Sequence, residues 1–459
     1  MTELYNFDLQ VSGTEADGYT VQVRGPAGEW ASEPLNGAPL VGLEPDLDAI
    51  QSGQSPPGGL ERLGAYLFQA LFPPNVTRVY DTVRSRAEQD GSLRLRLHLP
   101  AELATLPWEL LYDRTKFLCL DATTSIVRFL DLPDPPPPLA VEPPLHLLHF
   151  VASPKDAPQL DVERETAQIA AALAELTQAG KVEILPGRPG TLSTLQDQLR
   201  RDCHIVHFSG HGGLAQQEGF LLFEDKDGYS QKVGAGLLAQ QMDARTVRLV
   251  ILNACESAVA GTGDAFSSVA AALIQQAGLP AVIAYQHAMP DSSAIPFAAE
   301  FYDALTDGYP VDAAVTEGRK AILAARGDAW RERPDWATPV LFMQAQEGQI
   351  LKLADRIAAR QPPPVDPLDA LLDDVRDVVR DRVPPERRDE AMEKMAMLRG
   401  AATERRPNLK LMESILRWSQ AEVPALSGAV LSAILSLEEP LRQRGDDVWW
   451  EFQDRFGNG

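Results

Sequence analysis

The sequence predicts an α/β protein: a doubly wound, mostly parallel sheet of six strands between a β-rich α+β region and an all-α helical bundle. Three observations carry this. From residue 145 onward, apolar runs of strand length alternate with amphipathic stretches of helical length. Two proline blocks, Pro133-Asp134-Pro135-Pro136-Pro137-Pro138 with Pro143-Pro144 and then Pro362-Pro363-Pro364, interrupt the pattern. Beyond the second block only helical periodicity remains. The expected regions are 1–138, 145–352 and 366–459, with linkers at 133–144 and 360–367.

The elements follow in order. Residues 1 to about 60 alternate apolar and polar positions, as in Tyr19-Thr20-Val21-Gln22-Val23-Arg24, and read as short strands and turns. Leu60–Leu71 has helical spacing, and Leu93-Arg94-Leu95-Arg96-Leu97-His98-Leu99 has the strict period of a half-buried strand. Leu145–Val151 is an all-apolar strand, Val162–Leu176 a helix, Val182–Leu185 a strand and Leu192–Leu199 a short helix. His204–Phe208 and Val247–Leu252 are buried strands, and between them Phe220–Phe223 with the Asp227-Gly228 turn forms a hairpin. Ala265–Ala277 is helical, Pro280–Tyr285 a strand, Ser293–Thr306 and Val311–Ala325 helices, and Pro339–Met343 the last strand. Strands separated by helices of this length imply right-handed βαβ crossovers. After the second proline block come an apolar stripe from Leu368 to Val379 and helices over Glu386–Leu398, Leu409–Trp418 and Pro424–Leu437.

Composition narrows the function. The chain has 459 residues, more than one ordinary core holds. A net charge of −23 leaves no basic surplus for a nucleic-acid backbone. Three cysteines, odd in number and without a C-x-x-C pair, suggest neither a disulfide framework nor a zinc site. The N-terminus lacks the basic and apolar segments of a signal peptide, and no run approaches the ~18 apolar residues of a membrane span. The expected location is a reducing cytoplasm, which keeps cysteine as a thiol.

Two runs carry the chemistry: His204-Ile205-Val206-His207-Phe208-Ser209-Gly210-His211-Gly212 and Val247-Arg248-Leu249-Val250-Ile251-Leu252-Asn253-Ala254-Cys255-Glu256-Ser257. Each reads as a parallel strand breaking into a small-residue loop. Loops at the carboxyl ends of such strands form the ligand crevice, so His211 and Cys255 are expected side by side. A cysteine beside a histidine is a nucleophile pair. Read from the residues alone, Cys255 is either that nucleophile or an inert packing residue. Cys119 and Cys203 read as packing residues, and His204 and His207 as core or subsite histidines. His211 lies between two glycines, where nothing is expected to pack over the ring. Three histidines without a completing cysteine or carboxylate argue against metal.

With these motifs in hand, the chain resembles the CHAT family of bacterial proteases, relatives of caspases and separases. The resemblance rests on His207-Phe208-Ser209-Gly210-His211-Gly212 and Leu252-Asn253-Ala254-Cys255-Glu256-Ser257. Leu106–Asp113 and the stretch from Met289–Tyr302 to Trp336–Leu341 support it. It implies a caspase-like sheet and an endopeptidase in which Cys255 attacks the scissile carbonyl and His211 moves the proton. The N–H groups of Gly212 and Cys255 are then the oxyanion donors, and neither cofactor nor metal is needed. It also places Asn253 at the pocket for the substrate residue before the scissile bond, with His287 and Asp291 on a second wall.

Asn253 is neutral, so a basic and a small residue both stay open there. Asp291 either selects a basic side chain or caps the helix that follows. The helical tail resembles effector-associated or death-like adaptor modules of bacterial defence, which implies recruitment of a partner protein and a protease held in check until a signal arrives. Trp449-Trp450 is either a contact hot spot or core. The rival readings are a catalytically silent scaffold and a cysteine-dependent amidase or acyltransferase.

Overall fold

The computed structural model describes residues 3–37, 40, 42–53, 55–133, 135–216, 218–254, 262–287, 289–353, 379, 383–403 and 408–435. Cys255, the 360–367 linker, all of the stripe from Leu368 except Val379, and Trp449-Trp450 lie outside them. The chain divides into two compact units, Met1–Ala354 and Asp355–Gly459.

The first unit opens on an antiparallel meander of β1 (Glu3–Thr14), β2 (Gly18–Arg24) and β3 (Trp30–Pro34). Parallel to β1 runs β4 (Gly91–His98), and parallel to β4 runs β5 (Thr124–Phe129). Then come β6 (Leu139–Val141), β7 (Leu145–Val151), β8 (Val182–Gly187), β9 (Ile205–Ala215), β10 (Glu218–Glu224) and β11 (Ser230–Gly234). The last four are β12 (Leu249–Ala254), β13 (Ala281–Tyr285), β14 (Pro339–Met343) and β15 (Leu351–Leu353).

The six strands expected after residue 145 stand in the order β8-β7-β9-β12-β13-β14; the first five are parallel and β14 is antiparallel to β13. This is the predicted fold class, with helices on both faces. Alternate residues of each strand feed two cores. Phe150, Phe208, Val250, Leu252 and Ala284 pack with Phe266, Val269 and Leu273 of the helix Thr262–Ala277. Leu147, Ile205, Ile251, Ile283 and Tyr285 pack with Ile169 of the helix Val162–Ala172 and Phe297 and Phe301 of the helix Asp291–Thr306.

The sheet does not stop at residue 145. β14 pairs in parallel with β5, and through it with β4, β1, β2 and β3, so the proline segment 133–144 falls inside one unit. That segment is tied down: Arg248 donates to the carbonyls of Pro136 and Pro137, and β6 pairs with β15. A buried ion pair also joins the two halves. Arg94 of β4, fully buried, donates from Nε and Nη2 to the two Asp312 oxygens at 2.8 and 2.7 Å. Ser125 Oγ donates to the same carboxylate at 2.6 Å.

Three local expectations change. The helix expected over Val162–Leu176 is two helices, Val162–Ala172 and Ala174–Gln178, broken at the buried Leu173. The helix Pro74–Asp90 was not anticipated, although Pro74 opens it and Val76, Tyr80, Val83 and Ala87 form its buried stripe. β9 does not break after Phe208 but runs on through His211.

The second unit contains the helices Arg388–Thr403, Leu409–Glu422 and Pro424–Leu435. Ala391, Met395, Leu398, Met412, Ile415, Leu426 and Val430 form its core. Two of these helices start where expected, at Leu409 and Pro424, while the first ends at Thr403 rather than Leu398 and the second at Glu422 rather than Trp418.

Candidate active site

β9 changes partner midway. Ile205–Gly210 pair with β12, and Ile205–Ser209 also with β7, while His211–Ala215 pair antiparallel with β10. His211 therefore sits inside a strand, opposite Leu222, and only 4% exposed. The expectation of an open ring in a glycine loop is corrected. The flanking glycines make room on the other face instead: a Cβ on Gly210 would lie 2.5 Å from the Phe208 ring, and one on Gly212 2.5 Å from Phe266.

The imidazole is anchored by the backbone. His211 Nε2 lies 2.7 Å from the carbonyl oxygen of Pro158, in the loop 152–161 that follows β7. A carbonyl only accepts, so Nε2 carries a proton, and in the neutral imidazole Nδ1 is then the acceptor. Nothing in the sequence marks a backbone carbonyl as functional. The available signal was the position of the loop, at the carboxyl edge of the strand beside β9.

Cys255 lies outside the described residues, but its neighbour does not. Ala254 is the last residue of β12 and pairs with Gly210. Gly210 is bonded to His211 as Ala254 is bonded to Cys255, and consecutive Cα atoms are ~3.8 Å apart. The residues that precede the two expected site residues are thus paired on adjacent strands.

The remaining candidates occupy distinct places. Gly212 faces Leu221 in the β9–β10 ladder. Asn253 is buried at the end of β12, and its Oδ1 has no hydrogen-bond partner among the described residues. With His207, Tyr285, Glu165, Gln168 and Ile295 it lines a cleft between the helices Val162–Ala172 and Asp291–Thr306. His287 follows β13, and burial pushes its pKa down to about 4. Asp291 does not cap a helix: Pro290 is the N-cap, and Asp291 is the first helical residue. Its carboxylate forms an ion pair with Arg164, a partner that sequence reasoning did not identify.

His149, His204 and His207, with Cys119 and Cys203, are buried. Burial lowers His149 and His204 to about 4 and His207 to about 3. His207 Nδ1 meets the Tyr302 hydroxyl at 2.9 Å, and His204 Nδ1 accepts from the His146 N–H at 2.9 Å. Burial pushes both the Cys119 and Cys203 thiols up to about 12. Such thiols are poor nucleophiles at neutral pH. Among the described residues no group of three His, Cys, Asp or Glu side chains is arranged to hold a metal ion.

The profile of the CHAT domain family matches residues 61–344, more than half of the chain. The chain belongs to the CHAT domain family. The match begins inside the N-terminal region, at Glu61, in keeping with a CHAT sheet that draws on β4 and β5. A search of curated proteins returned no match. Among solved structures, the Arg-specific cysteine proteinase gingipain R is 15% identical, with a TM-score of 0.37, over 59% of this chain and 68% of that one. The Porphyromonas gingivalis complex of gingipain pro- and mature domains is 14% identical, with a TM-score of 0.38, over 66% and 76%. The Saccharomyces cerevisiae separase–securin complex is 10% identical, with a TM-score of 0.40, over 74% of this CHAT protein but only 30% of that chain. Among the described residues no helix is long and apolar enough to cross a membrane.

Proposed function

We propose that this CHAT protein is a caspase-like cysteine endopeptidase acting through Cys255 and His211. The observation that carries the reading is the Pro158 carbonyl on His211 Nε2, 2.7 Å away in the loop beyond the carboxyl end of β7. It leaves Nδ1 free to take the Cys255 proton. The thiolate attacks the scissile carbonyl carbon, and the oxyanion is received by the N–H groups of Gly212 and Cys255. The C–N bond breaks as imidazolium returns its proton to the leaving amine, leaving a thioester. His211 then accepts a proton from water as it attacks the thioester, and the carboxylate product and the thiolate separate.

Asn253, His287 and Asp291 wall the pocket for the residue before the scissile bond. Arg164 meets the Asp291 charge, and Asn253 shares its cleft with Glu165. The helical unit recruits a partner protein that releases the activity, in a reducing cytoplasm.

The test is a peptide-like electrophile with the adduct mapped by mass spectrometry, with and without a cell extract as the source of trigger. The expected result is an adduct on Cys255 that is lost in His211→Ala. No adduct under either condition makes the protein a silent scaffold.

A further inference from the structure

The hairpin of β10 and β11 touches both halves of the His211 hydrogen bond. Leu222 of β10 lies opposite His211 itself. The turn between the strands grips the loop that carries the Pro158 carbonyl. Asp156 Oδ1 accepts from the backbone N–H and the hydroxyl of Ser230, each at 2.7 Å. Lys155 donates from its backbone N–H to the Gly228 carbonyl at 2.9 Å and from Nζ to the Asp227 carbonyl at 2.7 Å. Glu224, at the end of β10, accepts from the Ser153 N–H at 3.0 Å.

The grip is rigid at both ends. In the turn, Asp225 Oδ1 accepts from the N–H groups of Asp227 and Tyr229 at 2.8 and 2.9 Å. In the loop, the Leu160 N–H donates to Ser153 Oγ at 3.1 Å, closing the segment around Pro158. Pro158 itself is exposed, so no burial of its own ring fixes where its carbonyl points. The oxygen is held by these anchors together with Gln159 Nε2, which donates to the Pro154 and Ala157 carbonyls at 2.7 and 3.1 Å.

We infer that the β10–β11 hairpin is the positioning element for His211, and that Asp156 is a positioning residue: it holds the Pro158 carbonyl where it fixes the Nε2–H tautomer of the imidazole. For catalysis this rests on the Cys255–His211 reading above; for the imidazole itself it does not. Ser230 donates two hydrogen bonds to one carboxylate oxygen, and such charge-assisted bonds are the stronger kind. Loss of the acceptor removes two of the bonds that hold the loop and loosens the Pro158 carbonyl against the imidazole. The Nδ1–H tautomer, which cannot accept the thiol proton at Nδ1, then becomes populated.

The experiment uses the full chain labelled with 15N-histidine, in wild-type, Asp156→Ala and Asp156→Asn forms. Ring 15N shifts report the His211 tautomer, assigned by its disappearance in His211→Ala, and iodoacetamide reports the alkylation rate of Cys255. Asp156→Ala is expected to mix the tautomers and slow alkylation about tenfold, the effect of losing a charge-assisted contact. Asp156→Asn keeps an acceptor oxygen and is expected to restore the single tautomer and at least half the rate. Wild-type behaviour in Asp156→Ala, or equal loss in Asp156→Asn, overturns the inference. If wild-type Cys255 is alkylated no faster than in His211→Ala, the dyad reading fails, while the tautomer comparison still decides whether Asp156 positions the ring.

Discussion

Asp312→Ala tests whether the N-terminal strands and the CHAT sheet fold as one body. Arg94 has no exposed surface, and its guanidinium is matched on one side by the Asp312 carboxylate. On the other side it donates to the carbonyls of Gln346 and Glu347, at 2.8 and 3.2 Å. Removing the carboxylate leaves a buried cation without its counter-charge, a change that costs about 3–5 kcal/mol. The Ser125 hydroxyl also loses its acceptor, about 1 kcal/mol more.

The assay is urea unfolding followed by tryptophan fluorescence, since Trp108 and Trp336 are both fully buried in this unit. The expected result is a lower midpoint at unchanged slope, in a single transition for this unit. The double variant Arg94→Met, Asp312→Leu removes both charges and recovers part of the loss; the Gln346 and Glu347 carbonyls stay unpaired and hold back the rest. A loss below ~1 kcal/mol, or a fragment 1–138 that folds alone with full stability, refutes the single-body account.

Other outcomes follow from the same geometry. Native protein treated with iodoacetamide at pH 7.5 should modify Cys255 alone, whereas denatured protein modifies all three cysteines; modification of Cys119 or Cys203 in the native state contradicts their burial. His149 and His207 stay neutral in the fold because burial lowers them from an ordinary 6.5 to about 4 and about 3. The unfolded chain binds their protons first, so stability is full above pH 6.5 and falls as pH drops toward 4. Each buried imidazole accounts for about 2 kcal/mol between pH 7 and pH 5. Urea midpoints across that range should fall in the wild type and fall less in His149→Leu. Arg164→Ala removes an ion pair whose arginine is 60% exposed, so thermal melting should register a change within ~0.5 kcal/mol.

The strands after residue 145 were legible because both faces of the sheet are covered, so each reads as a short unbroken apolar run. Leu192–Leu199 and Pro339–Met343 match their expected bounds to the residue. The continuity of the sheet was hidden because Pro133–Pro138 looks like a spacer, while what ties the segment down lies far off in sequence: Arg248, 111 residues from Pro137, and β15 against β6. Period-two alternation in β4 marked a strand but not that Arg94, on its polar face, points into a second core. At the site, His211 read as an open ring because of its glycines, but those glycines accommodate phenylalanines on the far face rather than a turn, and the ring is buried. The Pro158 carbonyl was illegible because every residue has one, and Arg164 because its partner lies 127 positions away (291 − 164).

The central claim is that Cys255, with His211 as its base, cleaves peptide bonds. Its most direct measurement is sequencing of new protein N-termini in a cell extract incubated with wild-type chain, with Cys255→Ala and with His211→Ala. The account predicts a set of termini present only with the wild type, sharing one preference at the residue before the cut. The same termini in all three samples, or none above background in an extract where wild-type Cys255 takes up the electrophile, would contradict it.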